Sequence, residues 1–248
     1  MGKHIATEMT EPRISKRSPF AVWPPQGSAI SIASSLREAA AFTQVSIAPK
    51  DFPEDAARGK GRPVVVLPGF FSPDIATARL RAFLARQDFA VHPWGQGLNI
   101  GPTKTILAGL ERELENIAAR CSIAPALLGQ SLGGTIAREV AKRRPDLVSQ
   151  VVTIVSPIRL PVATTLAPLA HFASLMWDSE TRATLHQISE PPPMRLTAIV
   201  APRDGLVDYR SCLPDPAPNV EVILVEGTHT TMGSNPTVQR IVAERLSS

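Results

Sequence analysis

Residues 126–134 read ALLGQSLGG, and their pattern is the strongest indication of how this chain folds. ALLGQ is a short apolar run typical of a central strand in a parallel sheet, and a helix-forming segment follows it directly. Between the two lies the pattern G-x-S-x-G, with Gly129 and Gly133 on either side of Ser131. Glycines at these positions permit a turn so tight that the serine adopts a strained backbone and its hydroxyl points out above the sheet. The stretch therefore predicts an exposed, nucleophilic serine between a strand and a helix.

Five further apolar segments have the length and composition of buried strands. They are PVVVLPG at 63–69, FAVHPW at 89–94, SQVVTIVS at 149–156, RLTAIVAP at 195–202 and VEVILVEG at 220–227. Helix-forming segments separate the strands, and parallel neighbours need such crossover connections. The pattern predicts an α/β protein with a doubly wound, mostly parallel sheet of about six strands.

Apolar spacing and proline positions predict the helices. Helices are expected at 30–42, at about 132–144, and from Asn235-Pro236 to near the end of the chain. The helix after the strand at 63–69 is expected to begin with Ser72 as cap and Pro73 in its first turn. Its predicted buried face is Ile75, Leu80, Phe83 and Leu84. In the next helix, Leu107, Leu110, Leu114 and Ile117 form one stripe that faces the sheet.

The length of 248 residues fits one α/β domain, with 63–248 as its body and 1–62 as an N-terminal arm and helix to which no function is assigned. A hydrophobic fraction of 44% excludes a disordered chain or a disulfide-stapled miniprotein. Cys121 and Cys212 are expected to be reduced.

The positive charge of the chain is concentrated in its N-terminal part. The net charge is +4, but 1–62 hold nine Lys/Arg and six Asp/Glu, which leaves only +1 for the other 186 residues. A basic stripe able to neutralise several phosphates is not evident, so no nucleic-acid partner is expected. The first residues lack the apolar run of a signal peptide, which predicts a cytoplasmic protein. LPVATTLAPLAHFASLMW at 160–177 is interrupted by prolines and a histidine, so membrane contact is not expected, and the oligomeric state stays open.

A serine hydroxyl needs a base within hydrogen-bond reach and a third group that orients that base. His229 follows the last strand by two residues, where a loop at the carboxyl edge of the sheet can deliver it to Ser131. The other four histidines lie in the arm, in a strand and in the region after residue 157: His4, His92, His171 and His186. Asp204 directly follows the strand at 195–202 and is the predicted acid, whereas Asp208 is expected to begin a helix or face solvent.

Two backbone N–H groups are expected to stabilise an oxyanion at this site. One belongs to Leu132, the residue after the serine. The other belongs to Phe70 in the loop LPGFF, where Gly69 permits the turn.

These motifs resemble the esterase/lipase-like branch of the α/β-hydrolase superfamily over about residues 63–246. The resemblance rests on VVVLPGFF, on LLGQSLGGTIAREVAKRRPDLVSQVVTIVSP, on APRDGLV and on GTHTTMGSNPTV. It implies a serine hydrolase that cleaves small-molecule carboxylic esters through an acyl-enzyme on Ser131, with His229 as base and Asp204 as orienting acid. It also implies no metal and no organic cofactor.

The segment 158–193 falls where similar proteins carry a cap insertion. Its apolar residues either pack on the body, line an acyl pocket or contact lipid. The predicted substrate pocket is Phe71, Leu166, Leu169, Phe172, Met176 and Trp177.

The same three residues also fit an acyltransferase or thioesterase, in which an acceptor other than water takes the acyl group. A non-catalytic ligand-binding homologue is the alternative of another class. A metal site is disfavoured, since no histidines pair at i,i+4 and no CxxC occurs.

Overall fold

The computed structural model describes residues 20–21, 31–47, 52–159, 162–167, 174, 177 and 189–248. The strands are β1 Phe20–Ala21, β2 Pro63–Leu67, β3 Ala90–Pro93, β4 Ala126–Gln130, β5 Gln150–Ile154, β6 Val162–Ala163, β7 Arg195–Val200 and β8 Val220–Leu224. The α-helices are α1 Ile32–Ile47, α2 Ala78–Arg86, α3 Lys104–Cys121, α4 Leu132–Arg143 and α5 Pro236–Ser247. Short 3-10 turns lie at Asp74–Thr77, Tyr209–Cys212 and Met232–Ser234.

Six of these strands form one open parallel sheet in the order β3-β2-β4-β5-β7-β8, which confirms the predicted fold class. From β2 the chain moves outward to β3 and then crosses back to β4 on the other side of β2. In doubly wound sheets, ligands bind where neighbouring strands connect in opposite directions. The loops after β2 and β4 therefore meet at the carboxyl edge, with Leu67 beside Gly129 in the register.

Alternate residues of the central strands enter two separate apolar layers. Val64 and Val66 of β2 pack with α2 and α5 on one face. Val65 and Leu67 pack with α3 and α4 on the other face. The predicted stripe of α3 is buried in this second layer, so that prediction is confirmed.

The segment after β2 departs from the prediction. It begins with the 3-10 turn Asp74–Thr77 and becomes α-helical only at Ala78. A 3-10 turn spaces side chains about 120° apart, so Ile75 does not continue the stripe of α2 and is 74% exposed. Because the α-helix begins later than predicted, Ser72 does not cap it, and its hydroxyl donates to the Phe70 carbonyl. The predictions for Ile75 and Ser72 were wrong.

The two ends of the described chain contain helices that the sequence predicted. The Asn235 side chain accepts from the Thr237 N–H, and Pro236 begins α5 as expected. The N-terminal helix is observed as α1, which continues past the predicted residue 42. Nearer the N-terminus, the two residues of β1 pair in parallel with β6.

Cys121 and Cys212 are both free thiols, and burial raises the pKa of the Cys212 thiol. Among the described residues, no helix combines the length and the apolar composition that crossing a membrane requires. The division into 1–62, 63–248 and the insertion at 158–193 stays a prediction.

Candidate active site

The turn between β4 and α4 is as tight as its glycines predict. Ser131 has φ 52° and ψ −128°, a conformation that is strained for a residue with a side chain. A Cβ on Gly129 would lie 2.3 Å from the Gly134 nitrogen, and one on Gly133 would lie 2.5 Å from the Leu67 carbonyl oxygen. A side chain at either position would force these backbone atoms to move.

Three residues predicted from separate loops form one hydrogen-bonded chain. The Ser131 Oγ lies 3.0 Å from His229 Nε2, and His229 Nδ1 lies 2.6 Å from Asp204 Oδ2. Asp204 and His229 are buried, with 1% and 6% of their surface exposed. An imidazole that donates its Nδ1 proton to a carboxylate has Nε2 free to accept a proton from the serine.

The loop after β7 orients Asp204. The N–H groups of Leu206 and Val207 donate to Asp204 Oδ1 at 2.9 and 2.8 Å, which leaves Oδ2 for His229. Asp208, the alternative acid, accepts from the Arg210 N–H at the start of the next 3-10 turn and forms an ion pair with the Arg210 guanidinium. Asp208 therefore begins a short helical turn, which is one of the two roles predicted for it.

The electrostatic surroundings of His229 favour its protonated form. Burial alone lowers the pKa of His229, but the charge of Asp204, its hydrogen bond and the charge of Glu38 outweigh burial and raise the pKa above its ordinary value. The His229 backbone is held on both sides: its N–H donates to Glu38 Oε1 at 2.7 Å, and its carbonyl accepts from Gln130 Nε2 at 3.3 Å.

The loop after β2 passes directly beside the serine. A Cβ on Gly69 would lie 3.3 Å from the Ser131 Cβ. In the described part of the chain, the N–H groups of Phe70 and Leu132 donate to no protein acceptor. The two N–H groups predicted to bind an oxyanion therefore have no competing acceptor in this part of the chain.

Asn99 holds this loop through hydrogen bonds of its side chain and its backbone. It is fully buried, its Nδ2 donates to the Pro68 carbonyl at 2.7 Å, and its Oδ1 accepts from the Gly101 N–H at 3.1 Å. Its own carbonyl accepts from the N–H of Phe71, which has a positive φ of 54°. Asn99 was not predicted as a site residue, although its place in a glycine-containing loop, GQGLNIG, was a weak signal of a structured turn.

A cavity of about 520 Å³ opens beside Ser131 and His229. Leu166 lines it as predicted, together with Phe70, Ile75 and Leu206. Phe71 and Trp177 are not among its described lining residues: Phe71 is 52% exposed, and Trp177 is buried with its Nε1 donating to the Ile100 carbonyl. The predicted pocket residues Leu169, Phe172 and Met176, like His4, His171 and His186, lie outside the described residues.

Within the described ranges, no group of three or more His, Cys, Asp or Glu side chains is placed to hold a metal ion.

No protein-family model matches this chain. No curated protein sequence matches it either. Solved structures do resemble it: Aspergillus fumigatus lipase B has 19% identity and a TM-score of 0.59, covering 80% of this chain and 56% of that one. A monoacylglycerol lipase from Paleococcus ferrophilus has 14% identity and a TM-score of 0.53, covering 77% and 96% of the two chains. An esterase from Pyrococcus furiosus has 16% identity and a TM-score of 0.53, covering 76% and 83%.

These likenesses show which fold the chain has. The chain has the α/β-hydrolase fold, as its motifs predicted. It spans little more than half the length of the Aspergillus lipase.

Proposed function

We propose that this protein is a serine hydrolase that cleaves small-molecule carboxylic esters. The observation that carries the proposal is the hydrogen-bonded chain from the Ser131 hydroxyl through His229 to Asp204. Three polar groups from loops after three different strands converge there at the carboxyl edge of the sheet. Structural neighbours named as lipases and an esterase support the same class of reaction.

In this mechanism, Ser131 Oγ attacks the ester carbonyl while His229 Nε2 accepts its proton. Asp204 keeps the imidazole in the required tautomer and stabilises the positive charge that forms on it. The N–H groups of Phe70 and Leu132 bind the carbonyl oxygen as it becomes negative. The imidazolium then gives its proton to the alcohol, which leaves an acyl group on Ser131.

Water completes the cycle. His229 takes a proton from a water molecule, the resulting hydroxide attacks the acyl-enzyme, and the proton returns to Ser131 as the acid departs. The apolar side chains of Leu166, Leu206 and Ile75 at the cavity fit an acyl or alkyl group of the substrate.

A fluorophosphonate probe and p-nitrophenyl esters of graded acyl length test the proposal. We expect labelling and turnover by the wild type, and loss of both in Ser131→Ala. Ser149→Ala, which changes an exposed serine outside the site, is the matched control and retains both. An unlabelled wild type, or a Ser131→Ala variant with full turnover, contradicts the proposal. Added alcohol or thiol acceptors identify acyl transfer if the acceptor, and not water, takes most of the acyl group.

A further inference from the structure

A glutamate outside the sheet contacts both loops that carry the imidazole and the carboxylate. Glu38 lies on α1 and is only 2% exposed. Its Oε1 accepts from the Gly205 N–H at 3.0 Å and from the His229 N–H at 2.7 Å. Its Oε2 accepts from the N–H and the hydroxyl of Thr230 at 2.9 and 2.8 Å. One carboxylate therefore joins the residue after Asp204 to the backbone of His229.

Two further contacts hold α1 against the same loops. The Ser34 hydroxyl donates to the Gly205 carbonyl at 2.9 Å, and the Thr230 hydroxyl is also within reach of the Glu38 carbonyl, at 3.1 Å. Along the chain, Gly205 and His229 are 167 and 191 residues away from Glu38, so chain connectivity does not impose these contacts. Helix docking alone places the carboxylate.

Glu38 is held in its charged form by backbone donors. Burial by itself raises the pKa of Glu38, but the hydrogen bonds from Thr230, His229 and Gly205 outweigh burial and lower the pKa. A carboxylate that accepts two or three backbone N–H bonds is stabilised as the anion. The same negative charge contributes to the raised pKa of His229.

We propose that Glu38 is a positioning residue that fixes the Asp204 loop and the His229 loop relative to each other. The proposal rests on the function proposed above for Ser131, His229 and Asp204. Glu38 does not line the cavity beside Ser131, so it acts on the reaction through the two loops and not by contact with substrate. Its removal therefore affects kcat and leaves KM nearly unchanged.

Two substitutions separate the charge of Glu38 from its geometry. Glu38→Gln keeps the shape but replaces one oxygen with an NH₂ group, which cannot accept from the loop N–H groups that face it. Glu38→Asp keeps the charge, but its side chain is one methylene shorter, so the carboxylate lies farther from the N–H groups of the two loops. A misplacement of about 1 Å can cost about 100-fold in rate, so we expect kcat to fall about 10- to 100-fold in both. Glu54→Gln, which changes an exposed glutamate, is the matched control and keeps wild-type kcat.

The pH profile separates positioning from general support of the fold. His229 acts as a base only when neutral, and the charge of Glu38 raises its pKa. Loss of that charge in Glu38→Gln lowers the pKa, so the acidic limb of kcat/KM moves to lower pH. In Glu38→Asp, which keeps the negative charge, the acidic limb of kcat/KM stays closer to that of the wild type. The other charged or titratable groups near these loops are unchanged in both variants: Asp204, the Asp208–Arg210 pair, Cys212, Arg37, Arg203 and Glu226.

An NMR titration of the His229 imidazole gives a readout that does not need turnover. We expect a lower imidazole pKa in Glu38→Gln than in the wild type. An unchanged pKa, a wild-type kcat in Glu38→Gln, or a loss confined to KM overturns the proposal. If Glu38→Gln does not fold, as judged by circular dichroism, a folded Glu38→Asp with wild-type kcat overturns it equally. A wild type without esterase activity contradicts the proposed function, while the titration still tests Glu38.

Discussion

Replacing Asp204 with asparagine changes one atom of the hydrogen-bonded chain and puts a proton donor where an acceptor stood. The N–H groups of Leu206 and Val207 both need an acceptor at the Oδ1 position. The amide oxygen of the introduced asparagine therefore takes that position, and its NH₂ group occupies the place of Oδ2, 2.6 Å from His229 Nδ1. An NH₂ group donates, so Nδ1 becomes the acceptor and the imidazole proton moves to Nε2.

A proton on Nε2 faces the Ser131 hydroxyl and prevents the imidazole from acting as a base. The same exchange in a serine protease lowers kcat about 10⁴-fold, and we expect a loss of that order here. In free energy of activation this corresponds to about 5.5 kcal/mol. The substitution preserves the shape of the side chain, so KM and the midpoint temperature of thermal unfolding should change little compared with kcat.

The assay is the steady-state hydrolysis of a p-nitrophenyl ester at saturating concentration. Asp208→Asn is the matched control, because Asp208 lies in the same loop and is also buried but pairs with Arg210. An asparagine at that position can still cap the 3-10 turn, so its kcat should stay within a few-fold of the wild type. A fall in kcat of less than tenfold in Asp204→Asn, or an equally large fall in Asp208→Asn, contradicts the role assigned to Asp204.

Three further predictions concern the surroundings of Ser131. The raised pKa of His229 predicts that kcat/KM, measured from pH 5 to 9, increases with pH through a midpoint above the ordinary histidine value of about 6.5, since the base must be neutral. Gly133→Ala places a Cβ 2.5 Å from two carbonyl oxygens, so the free energy of unfolding in urea should fall by about 1–3 kcal/mol. Asn99→Ala leaves the Pro68 carbonyl and the Gly101 N–H unpaired, so stability should fall by about 1–3 kcal/mol and kcat should fall because the loop after β2 shifts.

Each of these has a control or a contrary outcome. An acidic limb with its midpoint at or below the ordinary histidine value of about 6.5 contradicts the charge environment described for His229. At Gly97, an added Cβ meets nothing within 4 Å and only the φ of 74° opposes it, so Gly97→Ala should cost less than Gly133→Ala. Asn219 also donates to two backbone carbonyls, and Asn219→Ala should lower stability but not kcat. Equal kcat losses at Asn99 and Asn219 would argue against the role of the loop.

The sequence predicted the parts of this site that depend on local patterns and on sheet topology. Runs such as PVVVL and ALLGQ are apolar because both faces of a central parallel strand are buried, and all six predicted strands are observed. The carboxyl ends of parallel strands share one edge, so residues that follow those strands are brought together wherever they lie in the chain. Ser131, Asp204 and His229 satisfy that condition, and the structure places them in one hydrogen-bonded chain.

The sequence did not predict the side chains that hydrogen-bond to a backbone segment in another loop. Glu38 is one charged residue in an amphipathic helix, and nothing in its neighbours distinguishes it from a solvated surface charge. Gln130 and Asn99 are similar, since their partners are carbonyl and N–H groups that carry no sequence signature.

Local sequence patterns were enough to predict the six strands of the main sheet, the α-helices and the tight turn at Ser131, because apolar periodicity and the lack of a Cβ act over a few residues. Three features became visible only once the elements were packed together: α1 lies against the loops of Asp204 and His229, Ile75 lines the cavity and not the core, and Asn99 holds the loop after β2. These features depend on how separate elements dock, and docking aligns polar side chains with backbone groups that local sequence does not encode.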